Sequence, residues 1–145
     1  MDLQRHFDLH EANSLIPLVR DTFARVRPLH DELQQRAVEL VDLGQQLDIQ
    51  NHDGALPLEL VERKADLHRL ALKIHRSLRG ITDRGVEVKA VDGLVDFRSH
   101  YCGRVVYLCW RWDEPEIGCF HELDGGLSGR RVIGDPAQFL GDPVN

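Results

Sequence analysis

The chain has 145 residues, 42% hydrophobic and 29% charged, with a formal net charge of −6. That length and composition suit a single globular domain whose core needs no disulfide or metal to fold. The acidic balance argues against nucleic acid or an anionic membrane as the main partner, since both select clustered Lys and Arg.

No apolar run approaches the roughly 20 residues of a membrane span. The stretch Met1–His6 lacks the basic head and apolar segment of a signal peptide. The three cysteines, Cys102, Cys109 and Cys119, follow no framework spacing, which fits free thiols in a reducing compartment. A cytoplasmic location is expected.

Asp8 and Glu11 have the spacing of a capping box, with Phe7 placed as a hydrophobic staple. Apolar residues then recur at steps of three and four (Leu15, Val19, Phe23, Val26, Leu29, Leu33, Ala37, Leu40 and Leu47), the seam of a coiled-coil-like helix. Pro17 and Pro28 should kink or break it. Asn51–Pro57 is a turn cluster, and a second seam follows through Leu60, Leu67, Leu70, Ala71, Ile74, Leu78 and Ile81, closed by Gly80 or Gly85. The spacing predicts an antiparallel helical hairpin over residues 7–83. Its arms are unequal, roughly 55 Å against roughly 35 Å at 1.5 Å per residue.

Residues 85–133 change period. Val86–Ala90 alternates apolar and charged residues, Asp92–Gly93 is a hairpin turn signal, and Leu94–Arg98 is a second strand. A loop from Ser99 to Gly103 leads into Arg104–Trp112, apolar on both faces up to Trp110, as a central strand would be. Asp113–Glu116 turns the chain into Ile117–Leu123. Helices followed by four antiparallel strands make an α+β fold, with a Pro/Gly-rich extension over 134–145.

Several short runs stand in a fixed order: Phe7–Asn13, Gly85–Lys89, Gly93–Phe97, Val106–Arg111 with its Tyr-Leu-Cys-Trp-Arg core, Glu114–Ile117, His121, then Gly126, Gly129 and Arg130. From Phe7 to Ile133 the sequence resembles the bacterial family catalogued as domain of unknown function 2203. Cys119 and Leu127 depart from it, standing where aromatic residues are common. The resemblance implies a helical hairpin with a small sheet and supplies no activity; it marks Trp110, Arg111, Glu114 and Glu116 as motif residues.

Three chemistries are readable between Val105 and Arg130. The first is a site for zinc or another transition metal, with Cys109 and His121 as soft and borderline ligands and Glu122 and Asp124 beside them. It depends on register. If Trp112 pairs with Ile117, paired residue numbers sum to an odd number, and Cys109 shares a face with Phe120 and Glu122. A register shifted by one gathers Cys109, Cys119 and His121 instead. The second is acid–base work by Glu114, Glu116, His121, Glu122 and Asp124 converging at one end of the sheet. The third is anion binding by the flexible loop at Gly126 and Gly129 beside Arg130. For each, the plainer alternative is core packing, solvated carboxylates or a simple chain reversal. Trp110 and Trp112 read as core or interface anchors. The leading functional reading is an interaction or scaffold protein forming a homo-oligomer through the hairpin; the alternative is a metal-binding protein or metal-assisted enzyme around Cys109 and His121.

Overall fold

The computed structural model describes residues 4–50 and 57–143, so the expected Asn51–Pro57 turn, all but Pro57, lies outside the described residues. Helix α1 (Leu9–Ser14) starts at the expected capping box: the Asp8 carboxylate accepts the Glu11 N–H at 2.6 Å, and the Glu11 carboxylate accepts the Asp8 N–H at 3.0 Å. Phe7, just before it, is fully buried and stands edge-on to Phe97, with centroids 5.2 Å apart.

The chain breaks at Leu15 and continues as α2 (Ile16–Gln50). Pro17 is therefore in the first turn, where amides lack helical partners and a proline costs little. Pro28 was expected to interrupt the helix as well, but α2 runs through it. α3 (Leu58–Thr82) passes through Gly80 and packs beside α2. Gly85, at φ +97°, takes the backbone out of the helix into the sheet.

The sheet is antiparallel, in the order β1 (Glu87–Ala90), β2 (Leu94–Tyr101), β3 (Arg104–Arg111), β4 (Cys119–Glu122) and β5 (Arg131–Val132), with β6 (Phe139–Leu140) paired to the end of β2. Six strands replace the four expected. The two additions are each two residues long, too short to carry a readable period. β6 lies in the expected extension, yet Phe139 is 2% exposed and stacks on Tyr101 at 4.6 Å.

The N-terminal segment lies between β2 and this tail: the Phe7 N–H reaches the Arg98 carbonyl at 2.7 Å, and the Asp142 carboxylate accepts the His6 N–H at 3.1 Å. That backbone donor, with the His6 ring beside it, holds the Asp142 carboxyl below its ordinary range. A carboxylate so depressed contributes stability at neutral pH that is lost as pH falls through its folded-state value. Asp142→Asn is expected to remove this part of the acid sensitivity, read as a flatter dependence of Tm on pH below the ordinary carboxylate range.

The predicted loop over Ser99–Gly103 is a tight hairpin instead. β2 extends to Tyr101, and Cys102 and Gly103 turn the chain with φ +50° and +77°. Two successive left-handed residues define the type I′ turn, which usually takes Asn-Gly. Cys102→Asn should therefore raise stability by up to about 1 kcal/mol, measured by urea unfolding.

One face of the sheet carries Val95, Phe97, Val106, Leu108, Trp110 and Phe120, which join Phe7, Ile16, Val19, Phe23, Val26 and Ile81 in one core. Trp110 is wholly inside and donates its indole N–H to the Glu114 carbonyl at 2.9 Å. Trp112 is 46% exposed beneath the Arg27 guanidinium. The opposite face carries Asp96, Tyr107, Cys109 and His121.

Candidate metal centre

Three adjacent strands build the site. Asp96 on β2 lies opposite Cys109 on β3, Cys109 lies opposite Cys119 on β4, and Tyr107 lies opposite His121. Directly paired residues and those two apart along a strand share a face, so Asp96, Cys109, Cys119 and His121 all project away from the helices. Of the two registers open to the sequence, this is the one with even sums. The strands also stop short of the expected turn. The Glu114 carboxylate takes the Arg111 N–H at 2.8 Å, and Asn13 draws off the Ile117 N–H at 2.8 Å, so residues 112–118 connect β3 to β4.

Asp96, Cys109 and His121 are 2%, 1% and 3% exposed, and their ligand atoms all lie within 4.8 Å of one another. His121 Nδ1 is 2.7 Å from the Glu122 carbonyl oxygen, which can only accept, so Nδ1 carries a proton. That leaves Nε2 facing both Asp96 oxygens at 3.1 Å. A histidine whose outer N–H is fixed by a carbonyl while its other nitrogen faces a polar cluster has the orientation of a metal ligand. Burial pushes the Asp96 carboxyl above its ordinary value even though His121 and the Cys109 thiol favour its charge. Burial, reinforced by the Asp96 charge, pushes the Cys109 thiol up to about 12. Without a cation Cys109 is therefore a thiol, not a nucleophilic thiolate.

Arg130 and Glu114 lie beside this group. One Arg130 terminal nitrogen binds both Glu114 oxygens, at 2.7 and 2.9 Å, and the guanidinium charge acts on both Cys109 and Cys119. On the other flank the Tyr107 ring lies 5.4 Å from that of His121 and its hydroxyl donates to Glu87 at 3.0 Å. Burial alone would raise the Glu87 carboxyl; hydrogen bonds from Lys89 and Tyr107 and the Arg98 charge outweigh it and hold the group below its ordinary range.

The other expected site residues are dispersed. Glu122 points to the helix-side face, where Arg104 binds it at 2.5 Å and Arg131 at 2.8 Å. Asp124 and Glu116 are exposed. Gly126 and Gly129 lie in an exposed turn, Gly126 with φ +57°. Arg130 turns onto Glu114 rather than onto that loop, and Arg111 sits 3.6 Å from Asp113. Asp96 was missed as a ligand. Its signal was an aspartate inside an otherwise apolar strand, a position that residue seldom takes.

The fold and site together define an α+β protein whose antiparallel sheet carries a buried Asp-Cys-His cluster on the face opposite its core. The chain belongs to the family of uncharacterised conserved proteins designated DUF2203, whose profile matches residues 5–133. No curated protein and no solved structure matches it.

Proposed function

We propose that the protein binds a divalent transition metal, zinc foremost, through Asp96, Cys109 and His121. The observation that carries the reading is the convergence of three different donor atoms within 4.8 Å at a place where every one of them is buried. Such a thiolate, imidazole and carboxylate set matches the borderline softness of zinc, and three protein donors are the number that leaves a catalytic zinc one open position. The fixed His121 tautomer leaves Nε2 to a metal, and the Arg130 charge favours the thiolate form of Cys109 that a metal requires. Elemental analysis of protein purified without a metal-affinity tag tests it. About one equivalent of a transition metal is expected, falling to background in Cys109→Ala and in His121→Ala. Metal-free protein that also fails to take up added zinc would overturn the reading.

A second reading, self-association through a coiled-coil-like helical hairpin, is favoured by a separate observation. No residue of α2 from 30 to 47 is fully buried, while Val38, Val41, Leu58 and Val61 are 42–72% exposed. α3 runs alongside this stretch, with Glu59, Glu62, Arg63 and Asp66 across a groove from Glu32, Gln35, Arg36 and Glu39, and two helices by themselves leave those apolar side chains exposed. The occupant proposed is a second copy. Light scattering should give twice the chain mass, reverting to one in Val41→Glu; a monomer at high concentration would remove the idea.

A further inference from the structure

We infer that the fourth coordination position above Asp96, Cys109 and His121 takes a small, exchangeable carboxylate-type oxyanion (a simple carboxylate or bicarbonate) held by Arg130. The inference rests on the metal reading above. The three donors rise from one face of three neighbouring strands, so a tetrahedral ion bound by them has its remaining vertex directed away from the sheet. Two cations act on the donors, Lys89 on Asp96 and Arg130 on both Cys109 and Cys119; Lys89 is 3.1 Å from Glu87, while Arg130 keeps an unused donor.

Arg130 is itself incompletely satisfied. Its terminal nitrogen is committed to Glu114, its side chain is 15% exposed, and its Nε is fully buried with no acceptor. A buried guanidinium N–H without an acceptor is uncommon, because it has lost water and gained nothing in exchange. An oxygen of a metal-bound carboxylate would supply the missing acceptor, in the planar geometry that arginine, unlike lysine, is shaped to meet. Glu114 then serves as the positioning residue, holding the guanidinium by one terminal nitrogen while the Nε–H keeps no acceptor. The competing fourth donor is Cys119, on the same face and directly across from Cys109, but its sulfur is not among the converged donor atoms.

The test uses the full chain loaded with Co(II), whose visible bands report coordination, titrated with acetate and, separately, with bicarbonate. Saturable band shifts are expected with at least one of them, and Arg130→Leu or Arg130→Lys should weaken that anion by about tenfold or more while Co(II) still binds. Bands indifferent to both anions would overturn the inference while leaving the metal reading intact. So would a loss of thiolate-to-cobalt intensity in Cys119→Ser, which identifies that sulfur as the fourth donor. Failure of Co(II) and Zn(II) to bind at all would overturn the metal reading and this inference with it.

Discussion

Titrating zinc into the metal-free protein at neutral pH is expected to release about two protons for each ion bound. The first is the Cys109 thiol proton, present because burial and the Asp96 charge push that group up to about 12. The second lies between His121 and Asp96. Nδ1 already uses its own proton on the Glu122 carbonyl, so the 3.1 Å approach of Nε2 to the carboxylate needs another proton between them. Exchanging two protons for one divalent cation leaves the buried cluster electrically neutral before and after, and a net charge there would be costly. The count comes from calorimetry repeated in buffers of different ionisation enthalpy. A value near zero would mean that zinc binds elsewhere. Asp96→Asn should lower both the count and the affinity, the latter by at least about tenfold, as losing one carboxylate ligand implies.

The second large effect concerns stability without metal. His121→Ala, in the presence of chelator, is expected to cost about 3–5 kcal/mol by urea unfolding, because it leaves Asp96 buried with the Cys109 thiol in place of its ion-pair partner. Asp96→Asn should cost less, since an amide still offers Nε2 a donor. His121→Leu combined with Asp96→Val should recover part of the loss, because apolar side chains carry no desolvation penalty there. The pH dependence has a defined sign. Asp96 is raised by burial, and losing His121 removes the two largest influences that oppose that rise, leaving the Cys109 hydrogen bond and the Lys89 charge. A carboxyl raised in the folded state is least harmful while protonated, and its cost grows as pH climbs from its unfolded value toward its folded one. The deficit of His121→Ala should therefore shrink in acid; a deficit independent of pH would argue that lost packing, not a stranded carboxylate, is responsible.

Much of the scaffold was legible because its signals are local. The Asp8–Glu11 box, the helical seams and the alternation of Val86–Ala90 each depend on neighbours within a few residues. The family was readable too, from the Tyr-Leu-Cys-Trp-Arg run of β3 and its downstream residues. What escaped depends on distance along the chain. Cys102 hid a two-residue turn because cysteine rarely adopts a positive φ. Once Tyr101 is placed opposite Arg104, the pairing of Asp96 with Cys109 follows by counting. The β3–β4 register turned on Glu114 and Asn13 capturing backbone amides, contacts no periodicity encodes. Phe139 looked like part of a loose extension because Gly134, Pro136 and Gly141 surround it; its burial comes from Tyr101 and Phe120, nearly 20 or more residues upstream.

The even-sum pairing of β3 with β4 also bears on how the chain reaches a unique sheet. β4 has only four residues, and a short strand is the element most prone to slide along its neighbour during folding. Sliding by one position would swing His121 to the helix side and Phe120 outward, scattering the donors. An ion gripped by β2, β3 and β4 together would then act as a proofreader, rewarding the one alignment in which all three strands are correctly threaded. Refolding with zinc present should accordingly suppress misaligned species, even where the final yield of folded protein is unchanged.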